Sequence, residues 1–181
     1  MPNHCQFDEE VLLDAILEKI GTTNKFAVEF GCHIGYRFSN TQYLAEKGWT
    51  VQQYGIEGEP LIDEFFTAEN INDIFDRHEV PDEPDFMSID IDGMDYYCWK
   101  AMDRVKPRVV CIEYNISRLE GIQEYNPNNK WTGYNTPEFG ACKAEMMKLG
   151  EEKGYTLVSE NIANLFFVKK ELWGNEHSSQ A

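Results

Sequence analysis

Short apolar runs alternate along this chain with segments of helical periodicity, and no other feature restricts the fold as strongly. Lys25 to Phe30, Val51 to Glu57, Phe86 to Asp90 and Arg108 to Glu113 read as buried strands. Asp8 to Ile20 carries Val11, Leu12, Ala15, Ile16 and Ile20 at helical spacing, with Gly21 as its stop. Ser39-Asn40-Thr41 offers an N-cap for a helix through Leu44 and Ala45 that closes at Gly48. Further helices are expected over Asn70 to His78, Asp95 to Val105 and Glu138 to Lys153, and Pro107 breaks the second of these. Tyr155 to Val158 and Asn164 to Val168 complete the pattern as an antiparallel pair at a sheet edge. Apolar strands that alternate with helices call for a mainly parallel sheet covered on both faces. The chain therefore reads as α/β, a single domain over residues 1–181 with a polar, mobile tail from Lys169. Ligands of such folds sit beyond the carboxyl ends of the strands, where strand order reverses.

Composition narrows the partners. There are 32 acidic against 16 basic residues, a formal charge of −16, which repels phosphate backbones and anionic membranes. No nucleic acid partner is expected. Cys5, Cys32, Cys98, Cys111 and Cys142 are odd in number, scattered and free of any C-x-x-C pair. That excludes a disulfide framework or a thiolate zinc site and fits a reducing, cytoplasmic setting. No signal core and no long apolar span occurs, so no membrane is expected either. Oligomeric state is left open.

The first strand ends in Val28-Glu29-Phe30-Gly31-Cys32-His33-Ile34-Gly35. Gly31 and Gly35 let the backbone turn and approach a ligand closely. A dinucleotide fingerprint reads G-x-G-x-x-G and sets a pyrophosphate on the helix N-terminus. Here the spacing is G-x-x-x-G behind an acid, which repels pyrophosphate and attracts an ammonium group. The next strand ends at Glu57, roughly twenty residues on, where ribose hydroxyls are held in related folds.

A second acidic set falls at later strand ends. Asp90 and Asp92 share side-chain parity, Asp95 opens a helix, and Glu113 with Asn115 ends the adjacent strand. Carboxylates at one mouth repel unless separated, protonated or bridged by a cation. Three readings stay open: a divalent cation such as Mg²⁺ on Asp90, Asp92 and Glu113; a base for an acceptor hydroxyl; or helix capping by Asp92 or Asp95. The long segment from Tyr114 to Thr136 is a candidate lid, and its Tyr125, Trp131 and Tyr134 either cover a substrate or pack the loop down.

Val-Glu-Phe-Gly-x-x-x-Gly, Ser39-Asn40-Thr41, Gly48-Trp49 and Ile56-Glu57-Gly58-Glu59-Pro60 resemble the FkbM-related S-adenosylmethionine-dependent methyltransferases. The resemblance continues through Glu69 to Asp73, Ser88 to Tyr96, Pro107 to Asn115, Phe139-Gly140-Ala141, Gly154-Tyr155 and Leu165 to Val168, nearly the whole chain. It implies a Rossmann-like methyltransferase fold, S-adenosylmethionine as cofactor, and methyl transfer to a small hydroxyl-bearing acceptor such as a sugar. Glu29, Gly31 and Gly35, with Asn40 in the following motif, would serve the methionine end of the cofactor. Glu57 would hold the ribose, Glu69 and Asn70 would lie near the adenine, and Asp90 would complete the cofactor set. Asp92, Asp95, Glu113 and Asn115 would face the acceptor. The chain departs from the family pattern at Ile34, where an acid is expected, and in the about thirty residues between Glu57 and Asp90, a segment short for the usual strand–helix unit. A binding protein of the same fold without turnover, or an NAD-dependent oxidoreductase, are the rival readings.

Overall fold

The computed structural model describes residues 5–35, 38–129, 136 and 138–174. In chain order the elements are α1 (Glu9–Ile20), β1 (Phe26–Phe30), α2 (Gln42–Glu46), β2 (Thr50–Gly55), β3 (Ile62–Asp63), α3 (Ile71–Arg77), β4 (Phe86–Ile89), α4 (Asp95–Ala101), β5 (Val109–Glu113), α5 (Lys143–Glu152), β6 (Tyr155–Glu160), β7 (Asn164–Lys169) and α6 (Lys170–Trp173). The strands form one seven-stranded sheet in the order β3-β2-β1-β4-β5-β7-β6. Pairing is parallel from β3 through β5, and β7 runs antiparallel between β5 and β6. The chain builds outward from β1 through β2 to β3, then returns to the far side of β1 with β4. Strand order thus reverses between β1 and β4, which opens a crevice at their carboxyl ends.

Strand parity sorts the apolar residues into two cores. Val28, Phe30, Met87, Ile89, Val110 and Ile112 face α3, α4 and α5, where Ile74, Phe75, Trp99 and Met146 meet them. Ala27, Phe86, Val109, Cys111 and Phe166 face the other way, onto Leu13, Ile16 and Leu17 of α1 and Tyr43 and Leu44 of α2. At the amino ends of the strands Asp85 is fully buried and accepts from the amides of Thr23 and Lys25 at 2.9 and 2.7 Å and from Arg108 Nη1 at 2.7 Å. Arg108 also donates to the carbonyls of Ile20 and Gly21, so this pair joins the α1–β1 turn to the roots of β4 and β5.

Several boundaries differ from the sequence reading. Between Glu57 and β4 only the two residues of β3 and the seven of α3 intervene, the shortened middle that was expected. The fourth helix stops at Ala101, because Met102 turns extended (ψ 98°). The fifth begins at Lys143 rather than Glu138, since Gly140 and Cys142 are bonded to Gln123 and Gly121 of the long loop. Lys169 to Gly174 is not a loose tail: Lys169 closes β7, α6 follows, and Lys19 lies 4.0 Å over the Trp173 ring. Residues 175–181, like Trp131 and Tyr134, lie outside the described residues. All five cysteines are buried, and none forms a disulfide among the described residues. Among the described residues no helix is long and apolar enough to cross a membrane.

Candidate functional site

At the end of β1 the backbone bends across β2, with the amides of Gly31 and Cys32 both donating to the Tyr54 carbonyl at 3.2 and 2.9 Å. Gly31 has φ +95°, and a Cβ there would stand 1.4 Å from the Asp90 carbonyl oxygen. A Cβ on Gly55 would lie 2.4 Å from the Cys32 carbonyl. Glycine is therefore required at both positions, and the ends of β1, β2 and β4 meet backbone to backbone. Gly35 also has a positive φ (+83°), but open space surrounds it, so conformation rather than crowding selects glycine there.

The acids at these ends have different partners. Glu29, 5% exposed, points to the α2 face, where Ser39 Oγ, the Asn40 amide and Thr41 Oγ1 donate to its carboxylate at 2.6, 2.7 and 2.5 Å. It ties the chain entering α2 to the sheet. The buried Asn40 side chain donates to Ser88 Oγ at 3.0 Å and so lies within the fold rather than on a ligand surface. Glu57 is exposed and closes back on the glycine loop: the Ile34 amide donates to one oxygen at 2.6 Å, and His33 Nδ1 lies 3.2 Å from the other. The Ile34 amide first, and His33 after it, hold the Glu57 carboxyl below its ordinary value.

Over the crevice lies a cavity of about 380 Å³, within the range of small-molecule and cofactor sites. Its walls are the glycine loop (Gly31 to His33), the end of β2 (Gly55 to Glu57), Glu64 to Thr67, the turn after β4 (Ile91, Asp92, Met94), and the long loop at Tyr125 to Pro127 and Asn129. Among the predicted positions Gly31, Glu57 and Asp92 line it. Asn70 instead shapes a wall, its side chain holding the Thr67 amide and the Phe65 carbonyl, each at 2.8 Å. Glu69 accepts from the Tyr125 hydroxyl, which the Ala68 amide also reaches at 3.3 Å. Tyr125 thus lines the cavity while its hydroxyl fastens its loop to Glu69. Sequence reasoning missed the wall from Phe65 to Thr67 and the contribution of Asn126 and Asn129. A two-residue β3 leaves no periodicity to read, and loop polar residues carry none.

Beside this cavity Asp90, Asp92 and Glu113 gather, with one carboxylate oxygen from each lying within 4.8 Å of the others. Parallel pairing of Ile89 with Ile112 sets the first and third on adjacent strand ends. No hydrogen bond or salt bridge to these three side chains occurs among the described residues. Burial, then the charges of Asp95, Asp92 and Glu29, push the Asp90 carboxyl well up, and Glu113 is raised by burial and then by Asp90, Asp95 and Asp92. Burial raises Asp92, with His33 pulling the other way. Asp95, 2% exposed, accepts from the amides of Ile91 and Gly93 at 2.8 and 2.9 Å, yet burial outweighs these bonds and lifts it to about 6. Asn115 spends its side chain on the long loop, donating to the carbonyls of Thr136 and Phe139 and accepting from Ser117. Asp95 and Asn115 thus hold the walls of the site, and the three clustered carboxylates are its chemically open groups.

The mostly parallel sheet with an antiparallel β7, a glycine loop after β1 and a carboxylate beyond β2 define a Rossmann-like methyltransferase fold. Solved structures that share it include two methyltransferases. One is the 1,6-didemethyltoxoflavin-N1-methyltransferase of Burkholderia thailandensis, with bound 1,6-didemethyltoxoflavin and S-adenosylhomocysteine (TM-score 0.52, 12% identity, 89% of this chain and 76% of that one). The other is the magnesium protoporphyrin IX methyltransferase of Synechocystis PCC 6803 with bound S-adenosylhomocysteine (TM-score 0.50, 10% identity, 94% and 89% of the two chains). No family model and no curated protein matches the chain.

Proposed function

We propose that this protein is a cytoplasmic, single-domain S-adenosylmethionine-dependent methyltransferase of the FkbM-related kind, acting on an oxygen of a small hydroxyl-bearing acceptor such as a sugar. The observation that carries the reading is the cavity above the β1/β4 switch point, where Gly31 gives the backbone close approach and Glu57 lines the wall just beyond β2, the place where related folds hold a ribose. The residues present fit the cofactor. The carboxylates on the wall suit its cationic groups, the Phe65 and Tyr125 rings suit an adenine, and Glu57 is an acceptor for hydroxyls. Gly35, Glu29 and Asn40 serve the methionine end by fixing the loop, while Glu69 and Asn70 serve the adenine end through the walls they hold. When bound, S-adenosylmethionine supplies a methyl on a sulfonium sulfur that departs as a neutral thioether. Asp92, backed by Asp90 and Glu113, orients the acceptor hydroxyl and takes its proton, with positioning supplying most of the acceleration. Isothermal titration with S-adenosylmethionine and S-adenosylhomocysteine tests the reading. Saturable binding is expected, and no heat from either at millimolar ligand refutes it. Tight NADH binding in its place would favour an oxidoreductase.

A second reading has its own observation, the three carboxylates within 4.8 Å of one another. A hard divalent cation such as Mg²⁺ would be held there by Asp90, Asp92 and Glu113 and would orient the acceptor oxygen. Added Mg²⁺ should then raise the melting temperature at pH 8, and the rise should vanish in Asp90→Asn and Glu113→Gln. An unchanged melting temperature in the wild type rejects it.

A further inference from the structure

The cavity wall carries three carboxylates, Glu57, Glu64 and Asp92, and no lysine or arginine stands among the described residues that line it. Two of the three are answered from within the protein. Glu64 meets Arg77 at 2.6 Å and His78 at 2.7 Å, and Glu57 meets the Ile34 amide at 2.6 Å and His33 at 3.2 Å. Asp92 has no hydrogen-bond or salt-bridge partner among the described residues; one carboxylate oxygen each of Asp90 and Glu113 lies within 4.8 Å of its own, and of the lining residues His33 alone pulls on it by its charge. Among the described residues, the balance of charge at that end of the cavity is left largely to a ligand.

We propose that Asp92 makes the cavity select the sulfonium form of the cofactor over its neutral thioether product, an inference that rests on the S-adenosylmethionine reading above. A fixed negative charge in a partly enclosed site is felt far more strongly than one in bulk water. The two ligands share the ribose, the adenine and the amino-acid end, and differ at sulfur by one methyl and one positive charge. Interactions with Glu57, Phe65 and Tyr125 are common to both, so the difference falls on Asp92, whose carboxylate has no hydrogen-bond or salt-bridge partner among the described residues. The consequence is kinetic as well as thermodynamic. Once the methyl has left, the ligand has lost its positive charge and Asp92 has taken the acceptor proton, so the attraction between the two is gone.

Calorimetric titration of EDTA-treated protein with S-adenosylmethionine, S-adenosylhomocysteine and sinefungin tests this directly, since sinefungin carries a protonated amine in place of the methylsulfonium. The two cationic ligands should bind at least about tenfold more tightly than the thioether, and the ratio should shrink as salt rises. Asp92→Asn should bring all three within about threefold while leaving the thioether's affinity in place, because asparagine accepts the left-handed backbone that Asp92 adopts (φ +59°). Equal affinities in the wild type overturn the inference and leave the cofactor reading standing. Binding of none of the three overturns both. The wild-type comparison decides the matter even if the variant fails to fold.

Discussion

Gly31 and Asp85 show how much a single position can carry at opposite ends of the sheet. At the carboxyl end, a methyl group on Gly31 would overlap the Asp90 carbonyl and would also sit on a backbone with φ +95°. Gly31→Ala should therefore lower stability by about 3 kcal/mol or more, as strain and backbone displacement add. Urea unfolding measures this, with Gly35→Ala, which meets open space, losing clearly less. At the amino end, burial alone would raise Asp85, but the bonds from Arg108, Lys25 and Thr23 outweigh it and hold the carboxyl below its usual range. Removing it strands a guanidinium that is itself only 5% exposed. Asp85→Asn should cost about 3–5 kcal/mol, the range for breaking a buried pair from one side. A loss below about 1 kcal/mol in the same unfolding measurement would contradict the role.

Among the elements, the clearest coupling joins the long loop to the site. Asn129 donates to the Asp92 carbonyl at 2.8 Å, Gln123 reaches Asn129 at 3.2 Å, and Tyr97 donates to the Gln123 carbonyl at 2.8 Å. Together with Tyr125 on Glu69, these bonds hold the segment against the turn after β4 and the entry to α3. Tyr125→Phe removes the hydroxyl and keeps the ring that packs 4.9 Å from Tyr97. It should speed hydrogen exchange of amides 122–129 while changing global stability by only about 1 kcal/mol. Exchange at wild-type rates would show that the hydroxyl does not fasten the loop. Elements with long apolar runs were legible beforehand: β1, β4, β5 and α1 stand within a residue or two of where periodicity put them, because each has a full face to bury. The two-residue β3 and the start of α5 were not, since cross-loop hydrogen bonds, not side-chain pattern, decide them.

For the molecule as a whole, the charge of −16 and the buried acids give stability a definite shape against pH. Asp90, Asp92, Asp95 and Glu113 have raised carboxyls in the folded state, so the stability they contribute is present at low pH and is lost as pH climbs through their folded values, about 6 for Asp95. Asp85 is depressed, so its contribution is present above the unfolded value of about 3.9 and is lost as pH falls below it. The melting temperature should therefore peak in mildly acidic solution, between about 4 and 6, and decline on either side. Differential scanning calorimetry across pH 3 to 8 checks this, and a maximum above pH 7 would contradict it.

By itself the sequence determined the strands and helices with a full apolar face, that they build a mainly parallel sheet, and that Glu57, Asp90, Asp92 and Glu113 fall at its carboxyl edge. Those facts follow from local periodicity and from the fixed relation between parallel neighbours. Only the tertiary structure decided what each acid is bonded to. Glu29 is taken up by Ser39 to Thr41, Glu57 by the glycine loop and Asp95 by its own turn, while Asp92 keeps an open carboxylate on the cavity wall. Hydrogen-bond partners come from segments distant in the chain, and no periodicity records which of them will arrive.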